Sequence, residues 1–409
     1  DTSRAHGAPL GEEEIIETKK VYRWPSEEQF YVPKSVLEHM NGSEKGESLE
    51  IEWNQMFECY RTEFPEMAKD FEASISDQIP DDFAENIPKF SSSEGAMATR
   101  VASGKVLNEI AKKISWLVGG SADLAASNNS LIENSGDFVK GSFENRNINW
   151  GIREHVMCAA SSGMILHGGV RPFAATFFVF TDYARPAIRL SCLMGLPVIY
   201  VMTHDSVGLG EDGPTHQPIE HLASLRAIPE LHVIRPCDAN ETAMAWQVAI
   251  KRKDGPTMIV LTRQSLPILD RDIVSTEEGL AMGAYVISKE KGELADAILL
   301  SSGSEVALAL DAQNTLRKKN IDVRVVSMPC WELFRTQEKV YKNSVLPQEI
   351  KVRLSIEAGS DFGWHEWVGN QGDSVAISRF GASAPGGENF DKLGFNVPNI
   401  INRLEKIMT

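Results

Sequence analysis

An α/β architecture, with two parallel or mostly parallel sheet domains preceded by a helical connector, is what the sequence predicts. Three observations carry it. Short apolar runs without polar alternation recur from about residue 95 onward, as strands covered on both faces require. Helix-patterned stretches alternate with those runs. Residues 11–90 lack such runs and are instead acidic, aromatic and punctuated by proline.

Taken in order, the connector comes first. Asn54, Phe57, Tyr60 and Phe64 include apolar positions at the three- and four-residue spacing of one helix face. Pro65, Pro80 and Pro88 interrupt the stretch, and residues 79–82 (IPDD) read as a turn. Beyond it, 97–114 is patterned as a helix and 115–120 (SWLVGG) as a strand ending in a glycine turn. A further helix covers 159–166. The apolar stretch 187–202 is broken by Arg189 and by Gly195-Leu196-Pro197, which divides it into a helix, a turn and a buried strand through Thr203. Residues 232–236 and 257–262 are further strand candidates, and a charged, proline-containing segment over 266–276 reads as a linker. The second α/β unit begins near residue 281, with strands over 297–300, 322–328, 352–356 and 374–377 and a helix over 305–318.

Composition narrows the classes. With 409 residues, 42% hydrophobic and 24% charged, the chain suits two or three globular domains. A net charge of −16 argues against nucleic acid or an anionic membrane as partner. Five scattered cysteines without a C-x-x-C pair read as reduced thiols, with no disulfide or zinc framework.

Chemistry concentrates in a few loops. The segment 204–218 (HDSVGLGEDGPTHQP) follows a strand and holds two histidines, three acids, three glycines and two prolines. Such a rigid frame sets polar groups in fixed positions. Trp150-Gly151-Ile152-Arg153-Glu154-His155 puts an acid between a glycine turn and an apolar helix; it is either a surface ion-pair residue or a buried proton donor. Phe177, Phe180 and Tyr183 fall at threefold spacing, as on one helical face, and serve either as core packing or as a stacking wall for a flat heteroaromatic ring. Arg100, the 120–128 segment (GSADLAASN) and Arg263 lie near predicted strand ends, where forked guanidinium donors suit phosphate.

Together these segments resemble transketolase over essentially the whole chain. The resemblance runs in order through GSADLAASN, WGIREHVM, RPFAATFFVFTDYAR, HDSVGLGEDGPTHQPIEHLASLRAIP, LTRQ, GSEVALAL, VRVVSMPCWELF, IEAGSDFGW and FGASAP. It implies a tail end of the diphosphate-binding domain over 1–25, a helical connector over 26–94 and a pyrimidine-binding domain over 95–270. A linker over 271–284 and the C-terminal domain over 285–409 complete it. It implies thiamin diphosphate as cofactor. Glu154 would contact the aminopyrimidine ring and, with His216, would be catalytic. Phe180, Phe177 and Tyr183 would form the aromatic wall, and His6 and Asp123 would join the cofactor-binding set. Arg100, Ser127, His204 and Arg263 would hold the substrate phosphate; Asp212, His216 and His6 would contact the sugar. Val156 and Ala126 stand where the family often has a small residue and proline, without removing a reacting group.

The implied reaction is reversible transfer of a two-carbon ketol group from a ketose phosphate such as xylulose 5-phosphate to ribose 5-phosphate or erythrose 4-phosphate. It belongs to the pentose phosphate pathway or Calvin cycle, with a homodimer as the assembly and no nucleic-acid or membrane partner. Formaldehyde transketolase and a truncated, non-catalytic interaction paralogue are the alternatives. Family members hold Mg2+ or Ca2+ with a Gly-Asp-Gly segment and an Asn. No such segment is present, so these ligands are expected on a missing N-terminal domain, with this chain alone inactive. Plant-like wording of the motifs points to the chloroplast stroma, with the cytoplasm as alternative.

Overall fold

The computed structural model describes residues 3–409. It divides into two units, Asp1–Lys69 and Asp70–Thr409.

The first unit carries α1 (Glu12–Val21), α2 (Lys34–Met40) and α3 (Ser43–Glu63), none of which buries a residue. Acidic Glu44 in the first turn of α3 and Arg61 in its last complement the helix dipole. The aromatic spacing foreseen for this stretch appears as rings lined along α3: Trp53 stacks on Phe57 at 6.0 Å, and Tyr60 meets Phe64 at 5.3 Å. Pro65 opens α4 (Pro65–Ile75) at the position where a helix tolerates proline, and α4 carries the chain from one unit into the next.

In the second unit the chain runs β1 (Ala96–Ala98), α5 (Thr99–Lys113), β2 (Leu117–Ser121), α6 (Ala125–Asn128), α7 (Glu154–His167), β3 (Arg171–Phe177), α8 (Thr181–Leu193), β4 (Ile199–Thr203), α9 (His221–Arg226), β5 (His232–Ile234), α10 (Ala239–Lys251), β6 (Thr257–Leu261) and β7 (Ser265–Pro267). Five strands form a parallel sheet in the order β2-β3-β4-β6-β5, while β1 and β7 pair antiparallel beside it. A second sheet follows, from β8 (Tyr285–Ser288), β9 (Ala297–Ser301), β10 (Val323–Ser327), β11 (Arg353–Ile356) and β12 (Asp373–Val375), ordered β12-β11-β9-β10-β8. Only β8 runs antiparallel in it. Helices α11 (Glu305–Lys318), α12 (Trp331–Thr336), α13 (Lys339–Val345), α14 (His365–Val368), α15 (Gly386–Lys392) and α16 (Val397–Met408) complete the unit.

Both sheets are buried on both faces, which is why their strands read as unbroken apolar runs. Along β4, Ile199 and Val201 enter one core while Tyr200 and Met202 enter the other. Ala297 and Leu299 of β9 likewise face away from Ile298 and Leu300. The paired glycines of β2 serve close approach. A Cβ on Gly120 would stand 2.0 Å from the Ile148 carbonyl oxygen, and one on Gly119 2.2 Å from that of Phe173.

The aromatic series 177–183 departs from the helix its spacing suggested. Phe177 ends strand β3, Phe180 lies in a 3-10 turn, and Tyr183 belongs to α8. The three rings therefore do not share a helix face.

Candidate functional site

The parallel sheet delivers its polar residues to one edge. Ser121, Phe177, Thr203 and Leu261 end β2, β3, β4 and β6, and the loops that follow begin at Ala122, Phe178, His204 and Thr262. The carboxyl edge of a parallel sheet is where such folds place ligands.

His204 anchors this edge. Its ring lies 3.6 Å from that of Phe177, and Phe177 in turn stacks on Phe180 at 5.9 Å with only 5° between the planes. His216 closes the group edge-on, 5.7 Å from Phe180 and 6.2 Å from Phe177. The backbone at His204 is left-handed, with φ 63°, a conformation held only where surroundings enforce it. The enforcement is visible next door. Asp205 is buried and takes a forked ion pair from Arg235, whose Nε and Nη2 lie 2.9 and 2.7 Å from its Oδ2. Burial, reinforced by the charges of Arg100, Arg263 and His216, drives the His204 imidazole down to a pKa of about 3, so it is neutral near pH 7.

Arg100 stands in the first turn of α5 and donates through Nη1 to the carbonyl oxygen of Ser127. Its Nε is buried and makes no hydrogen bond. Burial and the neighbouring Arg263 charge both lower the Arg100 pKa, the mark of two guanidiniums sharing one region. Arg263 and Asp212 are exposed and line a cavity of about 530 Å³ with Gly208, Gly210 and Phe390.

Glu154 opens α7 and is buried, at 4% exposure. Gly151 makes that entry possible: its φ is 63°, and a Cβ there would collide with Arg153 Nη1 at 2.3 Å. Thr176 donates to Glu154 Oε1 at 3.3 Å, and the second carboxyl oxygen has no hydrogen bond among the described residues. Thr176 immediately precedes Phe177, so the acid and the aromatic shelf are fixed by the same strand.

Three further residues singled out in the sequence are exposed. Tyr183 is exposed and faces His155 at 6.1 Å. Asp123 is exposed with φ 63°. His6 belongs to the first unit, in an exposed turn after Ser3–Ala5. Two contributors were not chosen as site residues from the sequence: Asn128, at the end of the 120–128 segment, and Thr203. Both are buried, and they bond to each other at 2.6 Å; only the polarity of these residues beside apolar neighbours could have signalled them.

Among the described residues, Asp182, Glu220 and His221 form the one cluster with metal-ligand character. Asp182 faces Nε2 of His221 at 3.2 Å, whereas Glu220 faces Nδ1 at 3.9 Å. Carboxylates set at opposite ring nitrogens clamp an imidazole rather than converge on an ion.

Residues 95–268 match the family model for the transketolase pyrimidine binding domain, and 283–396 that for the transketolase-like C-terminal domain. Residues 1–80 match the transketolase thiamine diphosphate binding domain. That match extends to residue 80, beyond the 1–25 assigned to the domain from the sequence. A transketolase of Bacillus subtilis is 52% identical over all of this chain, which spans 61% of its length. Two structures of Pichia stipitis transketolase, one a mutant in complex with xylulose 5-phosphate and one in complex with sedoheptulose 7-phosphate, superpose with TM-scores of 0.92. Each is 36% identical, covering 98% of this chain and 59% of the other. The chain belongs to the transketolase family.

Proposed function

We propose that the protein carries out ketol transfer, moving a two-carbon unit from a ketose phosphate to an aldose phosphate with thiamin diphosphate as cofactor. The observation that carries the reading is the pairing of a buried acid, Glu154, with the Phe177–Phe180 shelf at the sheet edge that also holds Arg100, His204 and Arg263. The relatives bound to xylulose 5-phosphate and sedoheptulose 7-phosphate support the substrate class.

The residues suit the cofactor. A buried carboxyl group with one oxygen free, beside parallel aromatic rings, matches a flat ring bearing a protonatable nitrogen. Thiamin diphosphate, when bound, supplies the electron sink for breaking and making the carbon–carbon bond. Glu154 presents its free carboxyl oxygen to the pyrimidine nitrogen, and Phe180 offers a ring face to the pyrimidine. His216, half-buried with Nδ1 2.9 Å from the Thr215 hydroxyl, exchanges protons with sugar hydroxyls. Asp212 accepts from a donor-sugar hydroxyl. Arg100 and Arg263 bind the phosphate by charge, and His204 and Ser127 add neutral donors.

We also infer a homodimer. Ile152, Val156 and Tyr183 around the Glu154 helix start, with Leu190 and Leu193 on α8, leave apolar surface in water; Ile152 is 77% and Leu193 72% exposed. A coupled assay with xylulose 5-phosphate, ribose 5-phosphate, thiamin diphosphate and magnesium tests the function. Formation of sedoheptulose 7-phosphate is expected, and a protein that binds the cofactor yet forms none would refute it.

A further inference from the structure

We propose that Asn128 is a positioning residue that fixes His204 as its Nε2–H tautomer, making the imidazole an N–H donor for the phosphate of the substrate. The proposal rests on the phosphate-end reading given above, but its core is a statement about four side chains that requires no ligand.

A relay of hydrogen bonds ends at the ring. The Leu124 amide meets Ser121 Oγ at 3.2 Å, and Ser121 Oγ meets Asn128 Oδ1 at 2.6 Å. Asn128 Nδ2 meets Thr203 Oγ1 at 2.6 Å, and Thr203 Oγ1 meets His204 Nδ1 at 2.8 Å. Ser121, Asn128, Thr203 and His204 are all buried.

The direction of this relay follows from its first member. A backbone N–H can only donate, so Ser121 receives there and gives its own proton to the Asn128 carbonyl oxygen. With the amide turned the other way, Ser121 would face two donors and its buried hydroxyl proton would have no acceptor in the relay, a loss on the order of 1–3 kcal/mol. Asn128 in its satisfied orientation donates to Thr203. The Thr203 proton is then directed to His204 Nδ1, which must accept. A neutral imidazole that accepts at Nδ1 carries its proton on Nε2. Burial and the two nearby guanidiniums keep the ring neutral, and stacking on Phe177 with a left-handed backbone fixes its orientation.

The chemical consequence is specific. Arg100 and Arg263 already supply two positive charges, matching a phosphate dianion. A neutral Nε2–H adds a donor without a third charge, whereas the opposite tautomer would present a lone pair to phosphate oxygens.

Asn128→Asp inverts the relay, because a carboxylate accepts from both Ser121 and Thr203. The Thr203 hydroxyl then turns away from the ring, and His204 must donate through Nδ1. Nitrogen-15 NMR of protein labelled in its histidine rings reads this directly, with the His204 signals assigned by their loss in His204→Gln. The wild type is expected to show Nε2–H, and Asn128→Asp to show Nδ1–H together with at least tenfold weaker binding of ribose 5-phosphate by calorimetry. Thr203→Ser, which keeps the hydroxyl, should retain Nε2–H, and Thr203→Val should show mixed tautomers; this pair keeps the test open if Asn128→Asp does not fold. An Nδ1–H signature in the wild type, or an unchanged tautomer in a folded Asn128→Asp, overturns the relay. The predicted tautomers with unaltered ribose 5-phosphate binding overturn the donor role alone and count against the phosphate-end reading.

Discussion

At His204 a strained backbone, a stacked ring and a buried neutral imidazole coincide, and each has a separate cause in the neighbours. Glu154 is the complementary case, a carboxyl group held at a helix start by Gly151 and Thr176. If it supplies a proton to the cofactor ring, Glu154→Gln should lower kcat by about 10²–10⁴-fold, the usual weight of positioned acid–base groups. Steady-state kinetics at saturating cofactor would show it; a fall below tenfold would contradict the assigned role. Arg100 makes a different prediction. Arg100→Ala should raise KM for ribose 5-phosphate by roughly 10–100-fold, the loss of a charge-assisted contact worth about 1.5–3 kcal/mol, while leaving unphosphorylated ribose unaffected. The types of these residues were legible in the sequence because polarity concentrated in glycine-rich loops after apolar runs. Their arrangement was not. The left-handed turn at His204 depends on Asp205 being held by Arg235, thirty positions onward in the chain, and nothing local reports that pairing.

Among the elements, strand β3 shows what periodicity hides. All seven of its residues are buried, so it has no polar alternation, and the Phe177, Phe180 and Tyr183 spacing imitates a helix across a strand end, a turn and a helix start. The other strands were readable because glycine, proline or charged loops bounded them. The loops also connect the two sheets through buried charge. Arg235 joins Asp205 to Glu305 at the start of α11, and Arg226 of α9 grips Glu357 after β11 with two contacts of 2.7 and 2.8 Å. Trp364 donates to the same carboxylate at 2.9 Å, and Arg226 lies 4.0 Å over the Trp331 ring. Removing one partner leaves the other charge buried, so Glu357→Ala should cost about 3–5 kcal/mol of folding stability. Denaturant titration measures this, and a loss under 1 kcal/mol would show that the pair contributes little. At Gly120, a methyl group would press on the Ile148 carbonyl, so Gly120→Ala should destabilise by about 1–3 kcal/mol through overpacking.

For the molecule as a whole, several buried groups set one response to acid. His204 and His232 are pushed down to about 3 and about 4 by burial and nearby arginines, from an ordinary value of 6.5. Their unfolded forms take up protons first, so their contribution is full above pH 6.5 and is lost as pH falls toward 4 and 3. Glu357 adds to this lower down. Burial works to raise its pKa, but the paired Arg226 outweighs burial and holds it at about 2, so its contribution is full above pH 4.5 and lost as pH falls through 2. Calorimetric Tm should therefore drop from pH 7 to pH 4, and His232→Gln should flatten that slope; an unchanged slope would contradict the assignment. Association follows from surface rather than charge. Despite the net charge of −16, apolar Ile152 and Leu193 are predicted to be covered by a second copy, and Leu193→Asp should shift sedimentation toward monomer. The central claim is that the carboxyl edge of the parallel sheet serves ketol transfer, and it is tested most directly by isotope. With xylulose 5-phosphate labelled with carbon-13 in its first two carbons and unlabelled ribose 5-phosphate as acceptor, the label should appear together in the first two carbons of sedoheptulose 7-phosphate and should vanish with Glu154→Gln. Label that stays in xylulose 5-phosphate while thiamin diphosphate is bound, or transfer undiminished by Glu154→Gln, would contradict the account.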